Sequence, residues 1–462
     1  MKMDFEKINK IHFIGIGGIG LSAIAKFMKL KGKQISGSDL SRSLVIDNLE
    51  EDGIKIFIGQ NEENISSDID LVIHTMAIPK DNSELNRAKE LNIKTITYPE
   101  SLGVLFNDKF GIGVCGTHGK SSTTAMIGLM LDDAGLDPSI VVGSIVPRYK
   151  SNLRIGKSKY FLIEACEYER AFLNYYPKII ILNNIELDHT DYYKGLDDFK
   201  SAFVEFLTHL PDDGLLICNG DDENVLSIKG QIASSLNFGL KENNGVRAIN
   251  VIFTEGQTKF EVIYQNENLG EFALMVPGFF NVYNALGAIS LGLALKIPIE
   301  KIKKSLENYS GTWRRFEIKG KYKNALVISD YAHHPTAVKV IIEATKNFYP
   351  GKRVFAVFQP HQHNRTKELY QDFLKSFDDA DILILVEIFD VAGREEENAQ
   401  IVSSLNLVDD IKKQGKKISK NIFYTKDLRE TRKLIDGKMK SDDILLIIGA
   451  GDIYKIADDL VA

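Results

Sequence analysis

The sequence predicts an α/β chain of three successive domains, each built on a mainly parallel sheet. Three observations carry this prediction. Two short apolar runs, one from Ile11 and one from Phe110 to Cys115, end in glycine-rich turns that open into helical patterns. Strand-like runs then alternate with helical stretches along the remainder, the pattern that parallel sheets require. At 462 residues the chain also exceeds what one core serves, about 250–300 residues.

Composition narrows the class. Hydrophobic residues make up 44% and charged residues 26%, ordinary values for a globular protein. The net charge of −6 argues against a general nucleic-acid or anionic-membrane binder, since either needs a dominant basic surface. Cys115, Cys166 and Cys218 are odd in number and widely spaced, which fits a reducing compartment and neither a disulfide framework nor a metal knuckle. Met1 to Lys10 lacks an apolar core, and no later apolar run reaches membrane-spanning length. The expected location is cytoplasmic.

The first unit of pattern is Gly15-Ile16-Gly17-Gly18-Ile19-Gly20, followed by Leu21, Ile24, Ala25 and Met28 at helical spacing. A second strand ends at Ser38-Asp39, about twenty residues after the last glycine, where an acid usually grips a ribose hydroxyl. This is the Rossmann-like spacing, and it points to a nucleotide or dinucleotide. Leu71 to Thr75 and Thr95 to Tyr98 complete a domain placed at residues 1–107.

The second unit, Gly116-Thr117-His118-Gly119-Lys120-Ser121-Ser122, has the layout of a phosphate cradle. Amides at a helix N-terminus face the ligand, Lys120 neutralises phosphate oxygens and Ser121 helps hold magnesium. Val114 stands where the common expression has its first glycine. Strand-like runs at Tyr160 to Ile163, Lys178 to Leu182 and Leu215 to Cys218 follow, each succeeded by polar residues. Glu164 and Glu167 follow the first, and Asp188-His189 with Asp191 follow the second. Ligands of open parallel sheets sit at the carboxyl ends of strands, so these groups are expected to share a crevice with Lys120. The set Ser121, Glu164 and His189 suits magnesium beside a nucleotide triphosphate.

Arg247 to Pro277 reads as antiparallel strands added to this domain, placed at 108–312. The helical stretch from Asn281 carries Tyr283-Asn284, and Trp313-Arg314-Arg315-Phe316 begins the last domain, placed at 313–462. Its strand-end clusters are Asp330-Tyr331-Ala332-His333-His334-Pro335, Gln359-Pro360-His361-Gln362-His363-Asn364-Arg365, Asp390 to Glu397 and Gly449-Ala450-Gly451-Asp452. No cysteine accompanies these histidines and arginine neighbours them, so a wall of donors for anionic groups fits better than zinc.

Taken together, Gly15 to Gly20, the Lys120 loop, Glu164-Ala165-Cys166-Glu167, Asn184 to His189, Arg314 to Glu317, Asp330 to Thr336 and Phe358 to His361 resemble the Mur ligases over nearly the whole chain. The resemblance implies a central P-loop-type ATPase domain between two Rossmann-like domains. It implies ATP and Mg2+ as cofactors, UDP-N-acetylmuramate and L-alanine as substrates, and amide formation in peptidoglycan precursor synthesis by a monomer or homodimer. The full glycine fingerprint favours the alanine-adding branch of the family, as does Phe203, which stands where later-step ligases have a carbamoylated lysine.

Roles follow from the same resemblance. Gly15, Gly17, Gly18, Gly20 and Asp39 would hold the uridine diphosphate portion rather than NAD. Gly116 to Ser122, Asn281, Arg315 and Asp330 would contact ATP. Ser121, Glu164 and His189 would ligate magnesium, while His333, His361 and Arg365 would face the acyl phosphate and the amino acid. This chain departs from many members at His74-Thr75, Phe280, Gln362 and Val391 to Glu395. Three rival readings stand beside this one: a ligase that attaches a whole tripeptide to the same sugar nucleotide, a non-catalytic nucleotide sensor, and an NAD-dependent oxidoreductase, which leaves the Lys120 loop unexplained.

Overall fold

The computed structural model describes residues 3, 5–190, 192–230, 232, 234–254, 256–389 and 402–461. Asp191, Asp390 and the run Val391 to Glu397 lie outside the described residues. Three sheets are present, and the chain forms two compact units. The first unit comprises residues 1–247, 264–266 and 283–305, and the second comprises 248–263, 267–282 and 306–462.

The first sheet joins β1 (Lys10–Ile14), β2 (Gln34–Asp39), β3 (Lys55–Ile58), β4 (Leu71–His74) and β5 (Lys94–Thr97) in the order β3-β2-β1-β4-β5. Every pairing is parallel, with Ile11 opposite Ile35 and Leu71. The order reverses at β1, so the glycine turn after β1 opens at the switch point where such sheets bind ligands. Tyr98 belongs to the helix Tyr98–Phe106 rather than to β5. Thr97 caps that helix in a reciprocal box with Glu100, which ends the strand one residue before the sequence pattern does.

The second sheet takes β6 (Phe110–Cys115), β7 (Ser139–Val146), β8 (Ser151–Arg154), β9 (Tyr160–Glu164), β10 (Ile179–Leu182), β11 (Leu215–Asn219) and β12 (Ser235–Gly239) in the order β12-β11-β10-β6-β9-β7-β8. β8 is its antiparallel edge. The central strands are buried on both faces, which explains unbroken runs such as Ile179-Ile180-Ile181-Leu182. One apolar cluster runs from Ile11, Ile24 and Leu71 of the first sheet's layer to Phe161, Ile180 and Leu216 of the second. Phe106 meets Phe161 and Tyr175 edge-on, each at 5.8 Å between ring centroids, and Asn152 donates to the Ile19 carbonyl. The glycine turn of β1 and the Lys120 loop are therefore parts of one packed body.

β13 (Val246–Thr254) starts parallel to β12 at Phe238 and Gly239, then continues into the second unit beside β14 (Gln257–Tyr264) and β15 (Glu267–Leu274). Gln265 and Asn266, both at positive φ, make the two-residue turn between β14 and β15. The second unit's larger sheet has the order β16-β17-β21-β18-β19-β20. These strands are β16 (Glu317–Tyr322), β17 (Ala325–Asp330), β18 (Val354–Phe358), β19 (Ile382–Val386), β20 (Ile422–Thr425) and β21 (Ile444–Ile448), with β16 alone antiparallel. Among the described residues, no helix is long and apolar enough to cross a membrane.

Candidate active site

The first cluster lies at the carboxyl ends of β1 and β2. The amides of Gly15 and Ile16 donate to the Ser38 carbonyl, at 2.8 and 3.0 Å. The Gly17 amide donates to Asp39 Oδ2 at 2.9 Å. Gly15, Gly17, Gly18, Gly20 and Asp39 are thus brought together, and Asp39 shapes the turn as well as lining it. At Gly20 a Cβ would stand 2.6 Å from Tyr98 Cζ, so the last glycine of the fingerprint admits a tyrosine ring from the helix Tyr98–Phe106.

The second cluster surrounds the turn between β6 and the helix Lys120–Asp133. Gly119 caps this helix at φ +79°, and a Cβ there would stand 2.2 Å from Asn284 Oδ1, so both conformation and space exclude a side chain. The segment after β10 straps the loop down. Thr117 Oγ1 donates to the Glu186 carbonyl at 2.7 Å, His118 N donates to Asn184 Oδ1 at 2.7 Å, and the His118 ring meets Glu186 at 2.8 Å. Asn183 Nδ2 donates to Thr123 Oγ1 at 3.0 Å, and Thr123 donates on to Asn284 at 3.1 Å. Ser121 and Ser122 are buried in the first turn of the helix.

Lys120 folds back over this loop. Its ammonium donates to the carbonyls of Gly116 and Thr117, at 2.6 and 3.1 Å, and to Glu167 Oε1 at 2.9 Å. Glu167 is fully buried, and His189 Nε2 lies 3.5 Å from the same oxygen. Burial alone would raise the Glu167 carboxyl, but Lys120 and His189 hold it below the ordinary glutamate range. Burial would likewise lower Lys120, yet the neighbouring acids, Glu167 foremost, keep it above the ordinary lysine value. His189 sits at φ +54°, a conformation that costs a non-glycine residue energy, with its amide on Asp188 Oδ1 at 2.7 Å. Glu164 is the last residue of β9, and its Oε2 accepts from the Gly143 amide at 2.7 Å.

The second unit carries its own cluster at the carboxyl ends of β17, β21 and β18, which are neighbours in that order. Asp330 ends β17 and accepts from the amides of Phe316 and Ala332, at 2.7 and 2.8 Å. Burial raises its carboxyl despite the pull of Arg315. Arg315 lies 4.9 Å over the Tyr331 ring, and His333 Nδ1 is 3.2 Å from the Tyr331 carbonyl. After β18, His361 stacks on Phe389 at 5.6 Å, and Arg365 stands in the short helix His363–Glu368. Asn281 is buried in this unit, its amide on the Pro277 carbonyl at 2.8 Å. Arg315, Asp330 and His333 thus share one strand end, and His361 and Arg365 another.

Glu167 takes the place beside Lys120 expected of a strand-end acid, whereas the contacts that Asn183 and Arg314 make were not foreseen. Glu167 carried a signal, standing three residues beyond Glu164 at a strand end. Asn183 and Arg314 carried less, because each acts through partners distant in sequence.

The fold is α/β, with glycine-rich turns at the carboxyl ends of β1 and β6. Residues 10–110, 114–292 and 314–451 match, in turn, the descriptions "Mur ligase family, catalytic domain", "Mur ligase middle domain" and "Mur ligase, glutamate ligase domain". The chain belongs to the Mur ligase family, and with it comes the use of ATP. Its relatives include the UDP-N-acetylmuramate–L-alanine ligase of Clostridium novyi, 43% identical over 99% of both chains. The enzyme of the same name from Caldanaerobacter subterraneus is 41% identical over 99% of this chain and 98% of its own. Among solved structures, the UDP-N-acetylmuramate-alanine ligase of Thermotoga maritima superposes with a TM-score of 0.83 at 27% identity, covering 98% of each chain. A murein peptide ligase of Psychrobacter arcticus shares the fold at a TM-score of 0.72 and 22% identity, covering 98% of each chain.

Proposed function

We propose that this chain joins UDP-N-acetylmuramate to L-alanine at the expense of ATP, releasing ADP and phosphate in peptidoglycan precursor synthesis. The observation that carries the reading is the packing of the β1 glycine turn and the Lys120 loop into one body. That arrangement suits a carboxylate carried by a nucleotide sugar and activated by a neighbouring triphosphate. Residues 1–107 hold the sugar nucleotide through Gly15, Gly17, Gly18, Gly20 and Asp39. Residues 108–312 bind ATP and residues 313–462 the amino acid. The setting is cytoplasmic.

The chemistry assigns work to each group. A carboxylate acylates poorly, so it is first phosphorylated on ATP to an acyl phosphate. The neutral amine of alanine then displaces phosphate through a tetrahedral intermediate. Both steps bring anions together, and the protein's task is positioning and charge neutralisation. Lys120 takes the β- and γ-phosphates, and the amides of Gly116 to Ser122 cradle them. Arg315, Asp330 and Asn281 contact the nucleotide. His333 and His361 face the acyl phosphate, and Arg365 holds the alanine carboxylate.

Ser121, Glu164 and His189 are the residues that would hold Mg2+, which supplies further neutralisation of phosphate charge. The oxygen donors of Ser121 and Glu164 suit a hard cation, while the His189 imidazole is a softer nitrogen donor.

Phosphate release by the purified protein with ATP and UDP-N-acetylmuramate tests the reading. Release is expected with L-alanine. Release only with L-alanyl-γ-D-glutamyl-diaminopimelate would mark a tripeptide ligase, and none with either would mark a nucleotide sensor.

A further inference from the structure

Lys120 has three ammonium hydrogens and uses all of them within the protein. Two go to carbonyls of its own loop. That loop is fixed by the straps from Thr117 and His118, so those two acceptors do not leave. The third goes to Glu167, a side chain and an anion. An incoming phosphate must therefore take the place of the Glu167 contact. Glu167 itself is braced from behind, because its carbonyl accepts from the Tyr193 hydroxyl and from the Arg170 amide. Its Oε1 also faces His189 Nε2, so the carboxylate keeps a donor nearby once Lys120 turns to a ligand. Its Oε2 is buried with no hydrogen-bond partner among the described residues.

We propose that Glu167 is a positioning residue of the phosphate loop: an internal anion that occupies Lys120 in the empty site, is displaced by the terminal phosphate of the nucleotide, and then remains as the partner of His189. The proposal rests on the assignment of Lys120 to the ATP phosphates. Its consequence has a sign. Part of the intrinsic affinity of Lys120 for phosphate is spent on separating it from Glu167, and a buried negative charge next to the phosphates opposes binding. Removing that charge should tighten nucleotide binding while harming turnover, because His189 loses its orienting carboxylate.

The test is calorimetric titration of the full chain with the non-hydrolysable analogue AMP-PNP and Mg2+, without sugar nucleotide, alongside kcat and the ATP KM. Glu167→Gln is expected to bind the analogue about tenfold tighter, with kcat and the ATP KM both lower. Glu167→Asp keeps the charge but draws it back by one methylene, and is expected to show a smaller gain. In a Lys120→Ala background the gain from Gln should shrink, since only relief of charge repulsion remains. Unchanged or weaker binding by Glu167→Gln, or a gain that is undiminished without Lys120, overturns the proposal. Should Glu167→Gln fail to fold by circular dichroism, Glu167→Asp decides in the same sense. A wild-type chain that does not bind the analogue overturns the ATP assignment as well, whereas normal wild-type binding with no effect at Glu167 overturns this inference alone.

Discussion

Lys120, half-buried, and Arg314, buried, are cations held by opposite means. Lys120 is paired with a carboxylate that another anion can replace. Arg314, 5% exposed, donates to the carbonyls of Gly449 and Gly451 and lies within 5.6 Å of the rings of Trp313, Tyr331 and Tyr454. No carboxylate pairs with it among the described residues, and burial pulls its guanidinium below the ordinary arginine range. Neutral carbonyls and ring faces cannot be exchanged for a substrate phosphate. The comparison separates a cation kept available for chemistry from one that locks the Gly449 turn beside Arg315 and Asp330.

The largest expected effect breaks the first half of that comparison. Lys120→Ala should lower turnover on the order of a thousandfold, since it removes the ammonium that neutralises the transferring phosphate. It should also lower the melting temperature, because Glu167 is left buried with only His189 beside it. Adding Glu167→Gln should restore stability without restoring activity. Near-normal ATP turnover by Lys120→Ala would sink the assignment.

Arg314→Leu addresses the other half. It deletes two hydrogen bonds to carbonyls and the packing of three rings, so a loss of about 2–4 kcal/mol in urea unfolding is expected. Arg314→Lys should recover only part, since an ammonium cannot stack as a plane. An Arg314→Leu chain of normal stability would show that the cage is incidental. Gly119→Ala should follow at about 1–3 kcal/mol, from its positive φ and the close approach of Asn284, with weaker binding of AMP-PNP. Unaltered stability and affinity would mean that the loop relaxes freely.

The contrast also shows where the sequence was readable. Strand–turn–helix units announce themselves locally, because apolar periodicity and glycines at fixed offsets are properties of a short window. That is why Gly15 to Gly20, Gly116 to Ser122 and the carboxyl-end positions of Glu164, His189, Asp330 and His361 were legible. Glu167 was visible as an acid, but its importance depends on Lys120, 47 residues away, and on complete burial. The role of Arg314 was hidden, since its acceptors at Gly449 and Gly451 lie 135 and 137 residues further on. The fusion of the first two sheets into one body depends on contacts such as Phe106 with Phe161, which no window contains.

A third ionic arrangement sets the lower end of the scale. Asp381 begins near the surface ahead of β19 and accepts from Lys346, from Lys417 at 2.9 Å and from the Val354 amide at 2.9 Å. Burial alone would raise its carboxyl, but these donors pull it down to about 2. A depressed carboxyl stabilises the fold only where the unfolded chain would already be ionised, above its ordinary value of 3.8, and that contribution disappears as pH falls through about 2. Lys417 is largely exposed, so solvent screens much of the interaction and about 1 kcal/mol is expected to remain. Asp381→Asn should therefore lose about that much stability at pH 7, and the gap to the wild-type chain should narrow between about pH 4 and pH 2. A gap that stays constant down to pH 2 would assign the effect to the Val354 hydrogen bond rather than to charge. A far larger loss at pH 7 would place this surface cluster alongside Lys120 and Glu167, where burial rather than pairing sets the scale.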